Sequence, residues 1–491
     1  MTRDFLVTST PPTPNGDLHV GHLAGPYLAA DVFCRAQRAL GHRARYITGI
    51  DYHQTYVVTM AQTQQRDPAD LAAGYGRDIH ETLTRARIEA EAITVPDDAY
   101  TAHVQDFFAR LHRAGHLFRR TWAFPYSRHT GRHLLEAFTS GNCPECLAPA
   151  SGAICEICGH PNDPGSLLLC TDDQGNAITE RRAVEILVLP LEHYRDRITA
   201  HYERHRAGMR PHLLRFVEEM LSRPLPDFPV SYPADWGIPL PVDGYPGQVL
   251  NAWAEMLPGL THAAADDWTP DSHHELVQFL GYDNTYFFSL AHLGLALAHG
   301  NLTTPTAIIT NEFLHLEGSK FSTTRGHLIR ARDLLARHGA DAVRFGLALD
   351  NPEHQRTDFT EAAFTHKVET RLHAPLARLR AVLTDHDPPT PATPPPLLHR
   401  YHARMLRAYA PETFSLREAA EATAQLLSLL AHRATDDPDL ALHGLRAFTE
   451  CAAPLLPDLT AELHHRYGRD QNATNTPRPR AVPPARPLPQ P

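Results

Sequence analysis

The run from Phe5 to Leu23, FLVTSTPPTPNGDLHVGHL, passes from an apolar β-type segment through a Pro/Gly turn into helical periodicity. The helix reads from about Leu23 to Leu40, where Gly41 stops it, and a second β-type segment, ARYITGID, follows. Two strands joined through a helix lie parallel, because antiparallel neighbours need only a short turn. The opening of the chain therefore specifies a βαβ unit, and a sheet of that kind takes its ligands at the carboxyl ends of its strands.

The turn itself carries chemistry. His19 and His22 stand three apart, so at a helix start they share a face, and Gly21 between them leaves room for a flat ligand. The free N–H groups and positive dipole end of a helix suit phosphate. On spacing alone, a nucleoside triphosphate site and a pair of core or metal-binding histidines are equally open.

With 491 residues the chain has material for several structural units. Helical patterns run to about residue 115, and a Gly/Pro/Cys-rich region then interrupts them as an insertion. Alternating elements resume with QVLNAW, ELVQFLGYDNTYFFSLAHLGLALAHG and TAIITNEFLHLEG, ahead of helical LIRARDLLARHGADAVRFGLAL. From 360 to 470 the pattern is helical apart from HDPPTPATPPPLL, and the tail TNTPRPRAVPPARPLPQP cannot bury a core and reads as disordered. The expected division is 1–117 and 238–330 as two halves of one α/β domain, with 118–237 as the insertion between them. Then come 331–370 as a stem-contact segment, 371–470 as a helical bundle and 471–491 as the tail.

Four of the seven cysteines, Cys143, Cys146, Cys155 and Cys158, form C-x2-C-x8-C-x2-C. Two such knuckles offer four thiolates tetrahedrally to one structural zinc, with no open position for a water. No stretch approaches about 18 uninterrupted apolar residues and the start lacks signal-peptide features, so a cytoplasmic protein with no membrane contact is expected. A net charge of −10 excludes a general basic field and with it DNA as a partner. Only Lys320 and Lys367 are lysines among 46 basic residues. One of these two stands in the glycine-flanked loop GSKFSTTRG, where a compact ammonium can follow a phosphate through a reaction as a guanidinium fork cannot.

TSTPPTPNGDLHVGHL, ITGIDYHQT, FLGYDNTYF, LEGSKFSTTRG and GADAVRFGLA occur in an order and spacing that resemble the class I aminoacyl-tRNA synthetases of the methionyl type, over residues 5 to 370. His19-Val20-Gly21-His22 is similar to the HIGH signature and Lys320 to Thr324 to the KMSKS loop. The resemblance implies a Rossmann-type α/β domain with a zinc-containing insertion and a C-terminal α-helical bundle. It also implies amino-acid activation: the substrate carboxylate attacks the α-phosphorus of ATP, giving an aminoacyl adenylate and pyrophosphate, with Mg²⁺ carried on the phosphates. His19, His22 and Lys320 then act on the triphosphate, and Asn15, Gly21, Asp283, Ser322 and Arg325 hold the nucleotide.

The match fails in places. A tyrosine, an aspartate, a tryptophan and a histidine surround the amino acid in the family; here those positions read Thr13, Asp51, Trp253 and Phe288. Changes of this size alter selectivity by about 1–3 kcal/mol each, which removes methionine as the expected substrate. The second KMSKS lysine is Thr323, a loss of about 10²-fold in adenylation unless Arg325 compensates. The family's anticodon-reading residues are not visible, and residues 371–470 hold 11 Arg and no Lys against 12 Asp+Glu, a poor surface for RNA.

The expected function is therefore activation of an amino acid for a small non-tRNA acceptor. Domains altered in this way occur in hydrazine-forming enzymes, which pass glycine or glutamate to an N-hydroxylated amine before a cupin domain forms the N–N bond. No cupin-like pattern is present, so a separate cupin protein would be the partner. Methionine–tRNA ligase activity and a catalytically silent binding module are the alternatives.

Overall fold

The computed structural model describes residues 2–162, 165–321, 326–383 and 396–467. Ser322, Thr323 and Arg325, most of the Pro-rich stretch near 390 and the tail lie outside the described residues.

Five parallel strands form the central sheet: β1 (Asp4–Ser9), β2 (Arg43–Gly49), β3 (Ala92–Thr94), β4 (Glu275–Gly281) and β5 (Ala307–Asn311). They lie in the order β5-β4-β1-β2-β3, with Val7 of β1 opposite Tyr46 on one side and Val277 on the other. This is a doubly wound sheet whose topological switch falls between β1 and β4.

Successive strand residues feed opposite faces. Phe5, Val7, Val277, Phe279, Ala307 and Ile309 join a core that continues into the C-terminal helices, including Leu427, Leu430 and Phe448. Leu6, Ile47, Leu276, Leu280 and Ile308 join a second core with the helices Asp98–Arg113, Pro211–Leu221 and Ala252–Ala264.

The helix expected from Leu23 starts earlier and is not uniform. Val20–His22 makes one turn, Leu23–Tyr27 is π-wound with Gly25 at φ −86°, ψ −130°, and regular helix runs over Leu28–Ala39. Pro26 has no N–H to give the ladder. A Cβ on Gly25 would lie 3.2 Å from the Asn311 amide, so the end of β5 presses against the kink.

QVLNAW is corrected as well: Gln248–Leu250 pairs with Ser231–Pro233 outside the parallel sheet, and Ala252 begins a helix that Asn251 caps. The insertion carries its own antiparallel sheet, in which Phe118–Ser127 pairs with Arg181–Pro190. Among the described residues no helix is long and apolar enough to cross a membrane.

One buried arginine ties the two ends of the chain together. Arg344, 1% exposed, donates Nε to Leu455 O, Nη1 to the Ala86 and Arg87 carbonyls, and Nη2 to Pro454 O and the Asp31 carboxylate. All five guanidinium N–H groups find acceptors.

Candidate active site and metal knuckle

Beyond the carboxyl ends of β1, β2, β4 and β5 lies a cavity of about 330 Å³. Each strand hands over to residues that line it: Thr10 to Thr13 and Asn15 after β1, Asp51 and Gln54 after β2, Asp283 after β4, and Asn311 to Leu314 after β5. The site therefore sits where the switch in strand order predicts.

His19, Gly21 and His22 line it together. The two imidazoles stack with centroids 3.7 Å apart at 18°, and Phe321 stacks on His19 at 4.8 Å and 11°. A Cβ on Gly21 would lie 3.0 Å from His19 Cε1 and 3.3 Å from Phe321, so the missing side chain lets these rings pack close to the turn. The His19 backbone N–H donates to His22 Nδ1 at 3.2 Å, which assigns the proton of neutral His22 to Nε2. The surrounding protein pushes both imidazoles below their usual range, His22 to about 4, with the nearby Lys320 charge acting in the same direction. Both are therefore neutral hydrogen-bond donors at pH 7.

The HIGH turn and the chain that follows the KMSKS loop are bonded to each other. Val20 N donates to Ile329 O at 3.0 Å and Ala331 N to Leu18 O at 2.9 Å. Asp17 secures the same corner, accepting from Leu18 N–H at 2.7 Å and the Thr82 hydroxyl at 2.8 Å, with Arg332 at 3.2 Å.

Lys320 sits on a short hairpin with Leu314–Leu316, its Nζ 4.9 Å from the Phe313 ring centroid and ion-paired to Glu156. Asp283 faces this pair. Burial and the Glu156 charge raise its carboxyl to about 6 against the opposing pull of Lys320. Gly281 permits this arrangement, since a Cβ there would meet Asp283 Oδ1 at 2.5 Å.

Around Asp51 the cavity is lined by Thr13, Gln54, Trp253 and Met256. Thr13 Oγ1 donates to Asp51 Oδ2 at 3.4 Å. Burial first, and then the charges of Glu255 and Glu136, raise the Asp51 carboxyl well above the ordinary range, so an incoming cation would be needed to ionise it. Trp253 is held flat against Phe287, centroids 3.8 Å apart at 7°. Phe288 departs from its expected place: it does not line the cavity but is 1% exposed in the core, its ring 4.6 Å from His292.

The four knuckle cysteines come together as the spacing requires. Their Sγ atoms all lie within 4.8 Å of one another, with Cys143 to Cys158 at 3.8 Å and Cys146 to Cys155 at 3.6 Å. Thiolates on a tetrahedral zinc at about 2.3 Å stand about 3.8 Å apart, so the set fits that ion. None of the seven cysteines forms a disulfide. Both knuckles turn alike: Leu147 N donates to Cys143 O and Gly159 N to Cys155 O, with Leu147 and Gly159 at φ 62° and 77°. The purified protein is expected to hold about one equivalent of zinc, and Cys143→Ser to lose most of it. Metal analysis returning under half an equivalent from unoxidised wild-type protein would end the assignment.

Comparison with known proteins agrees with this geometry. The family model for tRNA synthetases class I (M) matches residues 5–380. The chain belongs to the class I tRNA synthetases. A methionine–tRNA ligase of Roseiflexus sp. (strain RS-1) is 30% identical over 398 residues, covering 76% of this chain and 67% of its own. One from Corynebacterium efficiens is 31% identical over 402 residues, covering 76% and 65%. The methionyl-tRNA synthetase of Mycobacterium tuberculosis, solved in complex with methionyl-adenylate, shares the fold with a TM-score of 0.75 at 19% identity, covering 98% of this chain and 100% of that one. As a class I synthetase, this chain is an ATP-dependent amino-acid-activating ligase that forms an aminoacyl adenylate.

Sequence reasoning missed several lining residues: Gln54, Tyr56, Glu156, Met256 and Phe321. Phe321 and Glu156 carried local signals, the first beside Lys320 and the second inside a knuckle. Gln54 stood within ITGIDYHQT, three residues after Asp51, and Met256 carried no signal.

Proposed function

We propose that this ligase activates an amino acid other than methionine and transfers it to a small non-tRNA acceptor, an N-hydroxylated amine on the way to an N–N bond. In this reading the substrate α-ammonium ionises Asp51, and Trp253 walls the pocket beside it. His19, His22 and Lys320 meet the triphosphate, with Asn15 and Asp283 around the nucleotide. The amino-acid carboxylate attacks the α-phosphorus and the bond to the β-phosphate oxygen breaks, releasing pyrophosphate. Neutral imidazole donors and the lysine stabilise the charge that builds there. Mg²⁺ arriving with ATP supplies further neutralisation of the phosphates.

The observation that carries the choice of acceptor is the charge state of the helical bundle. Its arginines balance its acids, and Arg371, Arg380 and Arg404 are ion-paired to Glu421, Glu462 and Glu418. A bundle without a basic surplus neutralises few phosphates, and RNA binding no tighter than the non-specific range of about 10⁻⁴–10⁻⁶ M is expected at physiological salt.

Methionine–tRNA ligase activity is the second reading, favoured by the similarity to such ligases over 76% of the chain. Two assays separate the readings. ATP–pyrophosphate exchange is expected with some amino acid, and charging of initiator or elongator methionine tRNA is expected to fail. Methionine-specific charging at ordinary synthetase rates would replace the first reading with the second.

A further inference from the structure

The insertion has a cavity of its own. It measures about 330 Å³, as large as the catalytic one. It lies between the hairpin that pairs Ser127 with Arg132, the turn after Leu168–Asp172, and Gln62 on the helix Thr55–Gln64. Among the described residues none lines both cavities. The helix connects them: Tyr56 in its first turn lines the catalytic cavity, and Gln62, about 9 Å further along the axis, lines the second.

Two charges on its wall are uncommitted. The Arg132 guanidinium lies 5.2 Å over the Phe138 ring, and among the described residues it has no acid partner. Asp173 lines the same cavity, and its carboxylate has no partner among the described residues either. The neighbouring Asp172 differs: it accepts the Gln174 N–H at 3.0 Å, the Asn176 N–H at 2.8 Å and the Asn176 amide at 3.1 Å, so the turn engages both of its oxygens. Resting on an aromatic face, the arginine fork is set in place before a ligand arrives. A plain anion would meet Arg132 but be repelled by two aspartates, and a plain cation would meet Asp173 but be repelled by Arg132. A zwitterion satisfies both, and a planar carboxylate matches the guanidinium fork.

We infer that the insertion binds a second small molecule, a zwitterion with an α-amino-acid head whose carboxylate pairs with Arg132 and whose ammonium pairs with Asp173. Such a molecule comes from one of two sources: an acceptor of the activated acyl group that carries this head, or a free amino acid that adjusts the rate from outside the catalytic cavity. The first source rests on the transfer reaction proposed above; the site itself does not.

The test is isothermal titration of the full chain with each of the twenty proteinogenic amino acids, using wild-type protein, Arg132→Ala and Asp173→Asn. The tightest binder is then compared with its deaminated acid and its decarboxylated amine, neither of which is expected to bind the site. Each variant is expected to weaken one binding event by about 10–100-fold, the loss of one hydrogen bond between charged groups, while ATP–pyrophosphate exchange is unchanged. An α-amino acid N-hydroxylated at its side-chain amine, incubated with ATP and the activated amino acid, tells the two sources apart. Recovered in acylated form with AMP released, it is an acceptor; recovered intact, while a free amino acid alters the exchange rate, it points to an effector. Binding kept by the acid or the amine alone, affinities unmoved in the variants, or exchange lost in parallel with binding overturns the site, as does the lack of any second binding event. Absence of exchange with every amino acid overturns the adenylation reading and leaves the titration to decide the site.

Discussion

Replacing His22 with alanine is expected to lower the kcat of amino-acid-dependent ATP–pyrophosphate exchange by about 10²–10³-fold, the loss that follows removal of one donor to a developing oxyanion. The fold should persist, because the ring contributes a stack at the cavity edge and one bond from the His19 backbone rather than core volume. Lys320→Ala should act through the same step. The pH dependence carries a second mark. His22 titrates near 4, so the loss of activity from its protonation sets in as pH falls toward 4 and not near 6.5. Asp283, raised to about 6, gives an acid limb at that pH if its carboxylate serves the nucleotide, and Asp283→Asn should remove it. Full activity in folded His22→Ala would withdraw the histidine from the chemistry.

Arg344→Ala is expected to destabilise folding by about 3–5 kcal/mol, because it takes the donor from the Ala86, Pro454 and Leu455 carbonyls at once and one of two arginines from the buried Asp31 carboxylate, which keeps Arg35 and the Glu89 N–H. Arg344→Lys keeps the charge but offers three donors from one point in place of a five-donor fork, and should recover only part of the loss. Urea unfolding followed by circular dichroism measures both. A change below about 1 kcal/mol in the alanine variant, the level of an exposed ion pair, would show that the network contributes little.

What the sequence made legible was local. Phe5 to Thr8, the histidine turn and the cysteine spacing each express their structure within a few residues, and all three lie where the strand order and the knuckles require. The helix start was misplaced because the first turn, Val20–His22, is followed by a π-wound segment containing Pro26 that breaks the regular periodicity. The pairing of Lys320 with Glu156 spans 164 residues and has no periodic signal to announce it. Gln54 looked like any polar residue before a helix, yet it is buried on the cavity wall beside Asp51. Phe288 was placed by motif position, whereas Trp253, stacked on Phe287, lines the cavity and Phe288 packs into the core.

The alternation of side chains along β1 has a consequence for how such a protein changes over time. One face of the catalytic sheet is closed by the helices within residues 396–467: Phe414 wedges between Phe33 and Phe279 at 5.4 and 5.5 Å, and Gln37 bonds the Tyr409 carbonyl at 2.7 Å. Surface residues of those helices are free to drift, yet the helices cannot be deleted without wetting one face of the nucleotide fold. The bundle thus serves as a roof for the sheet whatever it binds, and chains that end near residue 370 should expose that face and aggregate where the full chain does not.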